Sequence, residues 1–229
     1  MESPDLDDVL ASAARLQRVV PDAVLVGGTA AAWYAGHRES DDHDHVLTDL
    51  QERFDAVLEA VERTDGWVTN RVVPGNVILG SLGDIETGIR QMIRARPLEV
   101  SEAPLPSGAV VRVPTLDEIL RIKAFLVVRR NQARDYLDVA ALAQRMGVHR
   151  AAEVLAGIDA YYRDQLDSDD GVASQVARQL ADPRPADRRT TGELARYKRL
   201  DARWHDWSSV VDVCAAVAQG MLEPPGGGR

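Results

Sequence analysis

The amino-acid sequence predicts an α+β protein, with a small mixed β-sheet and helices over residues 1–114 and a helical region over 115–229. Three observations carry this expectation. Short runs rich in β-branched residues, separated by glycine and Pro-Gly turn signals, cluster between residues 22 and 114. Amphipathic stretches with apolar residues near a 3.6 period stand among them. Beyond Thr115 no segment alternates as a strand does, and helical spacing recurs down to residue 221.

In order, residues 5–19 read as a helix with Leu6, Val9, Leu10, Ala13 and Leu16 on one face, stopped by Pro21. "AVLVGG" is a short apolar strand running into two glycines, and "TAAAWYAG" is a compact helix closed by Gly36. "DHDHVL" is a second strand. "TDLQERFDAVLEAVERTDG" is a helix capped by Thr48 or Asp49 and ended by Gly66. "WVTNRVV", "NVILGSL" and "IETGI" are strands, and "VVRVP" is a candidate to close the sheet. Helices are then expected near 115–130, 134–146, 149–163, 171–181, 191–202 and 206–221, before a disordered tail, "EPPGGGR".

With 229 residues, 45% hydrophobic and 28% charged, the chain has the material for one large domain or two small ones. A single cysteine, Cys214, excludes an intrachain disulfide. The acidic start "MESPDLDDVL" is neither a signal nor a transit peptide, and no stretch has the apolar length of a membrane span. A soluble, cytoplasmic protein is expected. The net charge of −9 argues against broad binding to a phosphate backbone. Charge is nevertheless uneven. Residues 184–203 hold seven basic residues against three acidic ones, a net +4, and residues 121–134 hold five basic residues and no acid. Trp204 and Trp207 follow the first of these segments, a pattern that suits either helix packing or stacking on unpaired bases.

The segment "RESDDHDHVL" concentrates ionisable side chains. On a strand alternate side chains share a face, so Asp42 and Asp44 lie on one side and Asp41, His43 and His45 on the other. The first face offers two carboxylates to a divalent cation. Magnesium takes oxygen ligands and is commonly held by one or two carboxylates together with substrate phosphates. The second face, with His37, offers a zinc alternative that lacks further histidines to complete it. Upstream, "VLVGGTAAAW" joins a strand, two glycines, a hydroxyl residue and a helix N-terminus, an arrangement that can receive a triphosphate. Downstream, "GSLGDIETGIRQ" offers Asp84 and Glu86 as a third carboxylate. Glu86, inside an apolar-flanked segment, is the better candidate.

"GGTAAAWYAGHRESDDHDHVL" resembles the first motif of the nucleotidyltransferase superfamily with the DNA polymerase β-like fold. Within it the chain is most similar to the AbiEii/AbiGii group, the toxins of type IV toxin–antitoxin systems. Gly27, Gly28, Thr29, His37, Arg38, Ser40, Asp42 and Asp44 carry the match. "KAFLVVRRNQARDYLDVAAL" resembles the group's Lys-x(5)-Arg and Arg-Asp-x-x-Asp motifs through Lys123, Arg129, Arg134, Asp135 and Asp138. The two motifs span roughly residues 22–147. His43 and His45 depart from the pattern, since that group usually places apolar residues there.

The resemblance implies a magnesium- or manganese-dependent nucleotidyltransferase that uses a nucleoside triphosphate. It implies Asp42, Asp44, Lys123 and Asp138 as catalytic residues, with Glu86 as a further metal ligand. Gly27, Gly28, Thr29, Arg38, Ser40, Arg129 and Arg134 are then the nucleotide-binding residues. Asp135 is expected to cap its helix or pair with a local arginine, and Asp138 to orient Lys123 or Arg134. The implied acceptor is RNA, the 3′ end of tRNA above all, and the implied partner is a separately encoded antitoxin. An antibiotic nucleotidyltransferase acting on a small hydroxylated molecule and a noncatalytic nucleotide-binding module are the alternatives.

Overall fold

The computed structural model describes residues 4–162, 165, 170–197 and 199–223. The expected disordered tail falls outside them from residue 224 onward. The chain divides into two compact units, Met1–Trp33 with Glu39–Thr115, and Tyr34–Arg38 with Leu116–Arg229.

The first unit begins with α1 (Leu6–Val19), whose N-terminus is closed by the Asp5 carboxylate accepting from the Asp8 amide at 2.9 Å. Then come β1 (Val24–Val26), α2 (Gly27–Ala35) and β2 (Asp42–Leu47). They are followed by α3 (Phe54–Glu62), β3 (Trp67–Val73), β4 (Val77–Leu82) and β5 (Ile85–Gln91). Five strands form a sheet in the order β1-β2-β5-β4-β3, in which only β2 and β5 run parallel. Leu16 and Val20 from α1 and just after it, and Phe54, Val57 and Val61 from α3, bury against Leu47, Ile78, Leu82 and Ile89 of the sheet. Each such side chain contributes roughly 1.5–3 kcal/mol when fully buried.

Two expectations in this unit are corrected. The helix read from Thr48 starts only at Phe54. Asp49 opens a turn instead, its carbonyl accepting from the Glu52 and Arg53 amides while its carboxylate pairs with Arg53 at 2.9 Å. The side chain that would cap a helix is thereby occupied. "VVRVP", β7 (Val110–Pro114), does not close the main sheet. It pairs antiparallel with β6 (Val100–Pro104) in a separate two-stranded sheet. β6 escaped sequence reading because "VSEAP" is largely polar and exposed, burying only Ala103.

The second unit has helices and no strand among its described residues. It comprises α4 (Leu116–Arg130), α5 (Ala133–Met146), α6 (Val148–Ala156), α7 (Asp159–Tyr162), α8 (Val172–Ala181), α9 (Arg188–Thr191) and α10 (Trp207–Leu222). α10 packs on α5, α6 and α8, and α4 packs on α5. At Gly220 an added Cβ would lie 2.8 Å from the Ala152 Cβ, so the glycine permits the close approach of α10 to α6. The expected helix over 191–202 is absent. Single turns stand at 188–191, 194–196 and 202–204, and Arg199 has a φ of 45°. Leu194 and Leu200 are its buried apolar residues, too few for the stripe that holds a helix to a core.

Candidate active site

β2 builds the centre of the site. Its burial alternates along the strand: Asp42 and Asp44 are half-buried on one face, while His43, His45 and Leu47 are buried on the other. The parallel register with β5 sets Asp42 opposite Glu86 and Asp44 opposite Gly88. Asp42, Asp44, Glu86, Gly88, Arg90 and Asn70 help line an open cavity of about 220 Å³ on this face. Two hydroxyls hold the strand's entry. Thr29 donates to the Asp42 carbonyl, and Ser40 donates to Asp42 Oδ1 at 3.1 Å. Gly27, with a φ of +76°, starts α2 beside Asp44, so that a Cβ placed there would lie 3.5 Å from the carboxylate Oδ2. A left-handed φ of this kind favours glycine.

Gly88 and Arg90 were not anticipated. A Cβ at Gly88 would lie 2.3 Å from Asp44 Oδ1, so only glycine leaves that carboxylate its position. A glycine inside a strand pattern signals close approach, and that signal was present in "IETGI". Arg90 Nε donates to Asp44 Oδ1 at 3.3 Å, a half-exposed pair. Arg90 reaches Asp44 through the β2–β5 register, which no local sequence pattern encodes. Asp84 sits exposed in the turn between β4 and β5.

The donor set suits a hard cation. Two carboxylates on one strand face and a third in register beside them match the oxygen ligands of magnesium, and His43 also lines the cavity. Among the described residues no three His, Cys, Asp or Glu side chains are gathered closely enough to hold a metal ion, so Asp42, Asp44 and Glu86 share a face without forming a ready ligand set. The same holds for Asp41, His43 and His45, the face of the zinc alternative. The histidines serve locally. His43 Nε2 lies 3.0 Å from Ser12 Oγ on α1 and 3.1 Å from Thr87 Oγ1, and its Nδ1 lies 3.4 Å from His45 Nδ1. Burial pushes His43 down to about 4 and His45 well below its ordinary value, so both are neutral near pH 7.

In the second unit, His37, Arg38, Lys123 and Asp138 form one buried cluster. Asp138 of α5 is fully buried. It faces His37 Nε2 at 2.8 Å, Arg38 Nε and Nη2 at 2.9 and 3.1 Å, and Lys123 Nζ at 2.7 Å. Burial alone would raise the Asp138 pKa. The charges of Arg38 and Lys123 and the His37 hydrogen bond outweigh it and hold the carboxyl well below its usual range. Asp135 pairs with Arg130 at 3.0 Å and lies 3.9 Å from Lys123 Nζ, and burial raises its pKa against those cations. Lys123 and Arg38 are thus 2% and 6% exposed, committed to a carboxylate of their own unit. Arg129 and Arg134 are exposed. Trp204 is buried as a packing residue, with the Arg203 guanidinium 5.3 Å from its ring centre, whereas Trp207 is half-buried.

Comparisons with known proteins add the following. The model of the family described as nucleotidyl transferase AbiEii toxin, type IV TA system, matches residues 8–212. The heme uptake protein MmpL11 of Mycobacterium tuberculosis is 31% identical over 249 residues, covering 96% of this chain and 23% of that protein. The mycolic acid-containing lipids exporter MmpL11 of Mycolicibacterium smegmatis is 39% identical over 130 residues, 57% of this chain and 13% of that one. The chain therefore spans under a quarter of the length of these relatives. No helix among the described residues is long and apolar enough to cross a membrane. Among solved structures, a provisionally assigned nucleotidyltransferase from H. pylori superposes with a TM-score of 0.50 at 17% identity, over 94% of this chain and 92% of that one. The antibiotic-resistance factor ANT(2")-Ia, in complex with adenylyl-2"-tobramycin, gives 0.49 at 14% identity, over 67% and 97%.

Proposed function

We propose, from the premise that this chain belongs to the AbiEii nucleotidyl transferase toxin family of type IV toxin–antitoxin systems, that it moves a nucleoside monophosphate from an NTP to a hydroxyl of RNA. Membership places the chain among transferases of the nucleotidyltransferase type and implies an antitoxin partner. The observation that carries the reading is the carboxylate face, with Asp42, Asp44 and Glu86 on neighbouring strands around one open cavity beside the first turn of α2.

In this reading Asp42, Asp44 and Glu86 bind magnesium or manganese, which when bound supplies charge neutralisation and helps activate the attacking hydroxyl. The Gly27-Gly28 turn and the amides opening α2 receive the triphosphate, because helix N-termini attract anions. Thr29 and Ser40 fix Asp42, so its carboxylate needs little rearrangement on substrate binding. The acceptor oxygen forms a bond to the α-phosphorus, the bond from that phosphorus to the bridging oxygen breaks, and pyrophosphate leaves. The hydroxyl proton passes to a carboxylate of the face. Lys123, Arg38, His37 and Asp138 act by position. Breaking a buried ion pair costs roughly 3–5 kcal/mol, so their cluster pins residues 37–38 to α4 and α5 rather than opening for each substrate. Arg129 and Arg134, being exposed, are the cations of this motif available to phosphate.

The 3′ end of tRNA is the proposed acceptor, the cytoplasm the proposed site of action, and blocked translation the proposed toxic effect. Heme uptake and lipid export are ascribed to relatives more than four times as long as this chain and form no part of the reading. The test incubates the protein with each labelled NTP, magnesium and total tRNA, with Asp42→Ala as control. Label in tRNA only with the unaltered chain is the expected result. Transfer to a small hydroxylated molecule in place of RNA would move the assignment to drug modification. Absence of magnesium-dependent NTP binding would leave a noncatalytic module.

A further inference from the structure

The two basic segments, residues 121–134 and 184–203, are far apart in sequence but meet at one turn of the second unit. Asn131, between α4 and α5, adopts a left-handed φ of 49°. Its side-chain amide donates to the Arg184 carbonyl at 2.9 Å, and its own carbonyl accepts from the Ala186 amide at 2.7 Å. Asp187 then accepts from the Ala133 amide at the start of α5, at 2.7 Å. These bonds fasten the strand of chain at 184–187 to the α4–α5 turn. The chain at Arg184 is thereby joined to the turn flanked in sequence by Arg129, Arg130 and Arg134.

A cavity of about 370 Å³ opens at this junction, lined by Pro183, Arg184, Pro185, Arg188, Thr191 and Trp207. No acid lines it. Its walls are held in place. Tyr136 donates to Asn131 Oδ1 at 2.6 Å and stands edge-on to the Trp207 ring, with centroids 6.1 Å apart. Thr191 Oγ1 donates to the Arg188 carbonyl at 2.8 Å. Pro183 and Pro185 are buried and have fixed φ. Trp207 remains half-buried, so part of its ring is open. Arg184 pairs with exposed Asp182, while Arg188 pairs with no acid among the described residues.

We propose that this cavity holds one unpaired nucleotide of the RNA acceptor, its base against Trp207 and the two prolines and its phosphate on Arg188. The chemistry is specific to a stackable base bearing an anion. An apolar, aromatic floor receives the base, and a free guanidinium can form two parallel hydrogen bonds to phosphate. A duplex end offers no unstacked base, and an acidic peptide offers charge without a ring. The inference deepens the RNA reading above and rests on it.

The experiment is anisotropy titration of a labelled single-stranded RNA 10-mer, with a blunt RNA hairpin and poly-glutamate as competitors. It uses the full chain and the variants Arg188→Gln and Trp207→Leu. Arg188 is exposed, so its variant retains the fold even if the tryptophan variant, which loses the Tyr136 contact, does not. The expected result is roughly tenfold weaker single-strand binding in each folded variant, with the hairpin and poly-glutamate competing poorly. Undiminished binding in Arg188→Gln would overturn the proposal while leaving RNA as acceptor. Poly-glutamate competing as well as RNA would overturn it in favour of a charge-only surface. RNA binding absent from the unaltered chain, with magnesium-dependent NTP binding intact, would remove both this site and the RNA acceptor.

Discussion

Gly88 carries no functional group, yet Asp44 depends on it. An alanine there would set its Cβ 2.3 Å from Asp44 Oδ1, and the carboxylate has to rotate away. Misplacement of about 1 Å in a phosphoryl-transfer site can cost ~10²-fold in rate. Gly88→Ala is therefore expected to lose about that much transfer while keeping its cooperative melting transition; turnover equal to the parent's would sink the role given to Asp44. Arg90 argues the converse case. It shares Asp44 with the proposed cation across a half-exposed pair, and such pairs are worth only ~1 kcal/mol or less. Arg90→Gln should tighten Mn2+ binding up to about fivefold, read by electron paramagnetic resonance of free Mn2+, and weaker binding would count against a metal at this face. The legibility of these residues differs for a physical reason. Asp42 and Asp44 were readable because a period of two puts them on one face whatever the strand's neighbours. Gly88 and Arg90 matter only through the β2–β5 register, which arises from long-range pairing.

At the scale of the element, β2 carries charge on its open face and a neutral histidine pair on its covered one. Where the family resemblance leads one to expect apolar residues, His43 bonds to Ser12 and Thr87, and His45 meets His43. Burial holds His43 at about 4, against 6.5 when solvated. In the unfolded chain it takes up a proton as pH falls through 6.5, while the folded chain resists until about 4. Its contribution to stability is thus complete above pH 6.5 and is lost as pH falls toward 4, by about 3 kcal/mol from His43 alone. His45, held lower still, acts in the same direction. Asp138, depressed well below 3.8, adds its own loss only at more acidic pH. Asp135, raised by burial, works the opposite way, favouring the fold as pH falls. Comparison with a variant therefore isolates the strand. The urea midpoint of the parent should drop between pH 7 and 4.5, and that of His43→Gln should drop less; equal slopes would show that His43 is not buried neutral. The alternation of β2 was legible in the sequence, but the place of His43 was not, since its partners lie on α1 and β5. Likewise 191–202 resembled a helix by composition. Among the described residues of that stretch only Leu194 and Leu200 bury, too few for an apolar stripe, and Arg199 takes a left-handed φ that breaks the run.

For the molecule as a whole, charge makes a quantitative claim about RNA. The chain carries −9 overall while residues 184–203 carry a net +4. An RNA strand approaching an acidic protein gains nothing at long range, so binding has to come from the few arginines gathered at the α4–α5 turn and from stacking. Counterion release counts the phosphates neutralised, with a slope of log K against log salt of about −0.7 per phosphate for single strands. Arg184 and Arg188, with Arg129 and Arg134 as the outer limit, correspond to two to four phosphates and a slope between about −1.4 and −2.8. A protein gripping RNA along a broad basic surface would show a far steeper dependence. Titrations from 50 to 300 mM salt decide between them. A slope near −2 is expected, and Arg188→Gln should reduce it by about 0.7. A slope beyond about −4 would require cationic surface outside these residues, and the localised landing site would then have to be abandoned. A shallow slope also bears on specificity. When charge contributes little, discrimination falls to the ring stacked on Trp207, so the enzyme should prefer RNAs with an unpaired end over duplexes of equal length at every salt concentration.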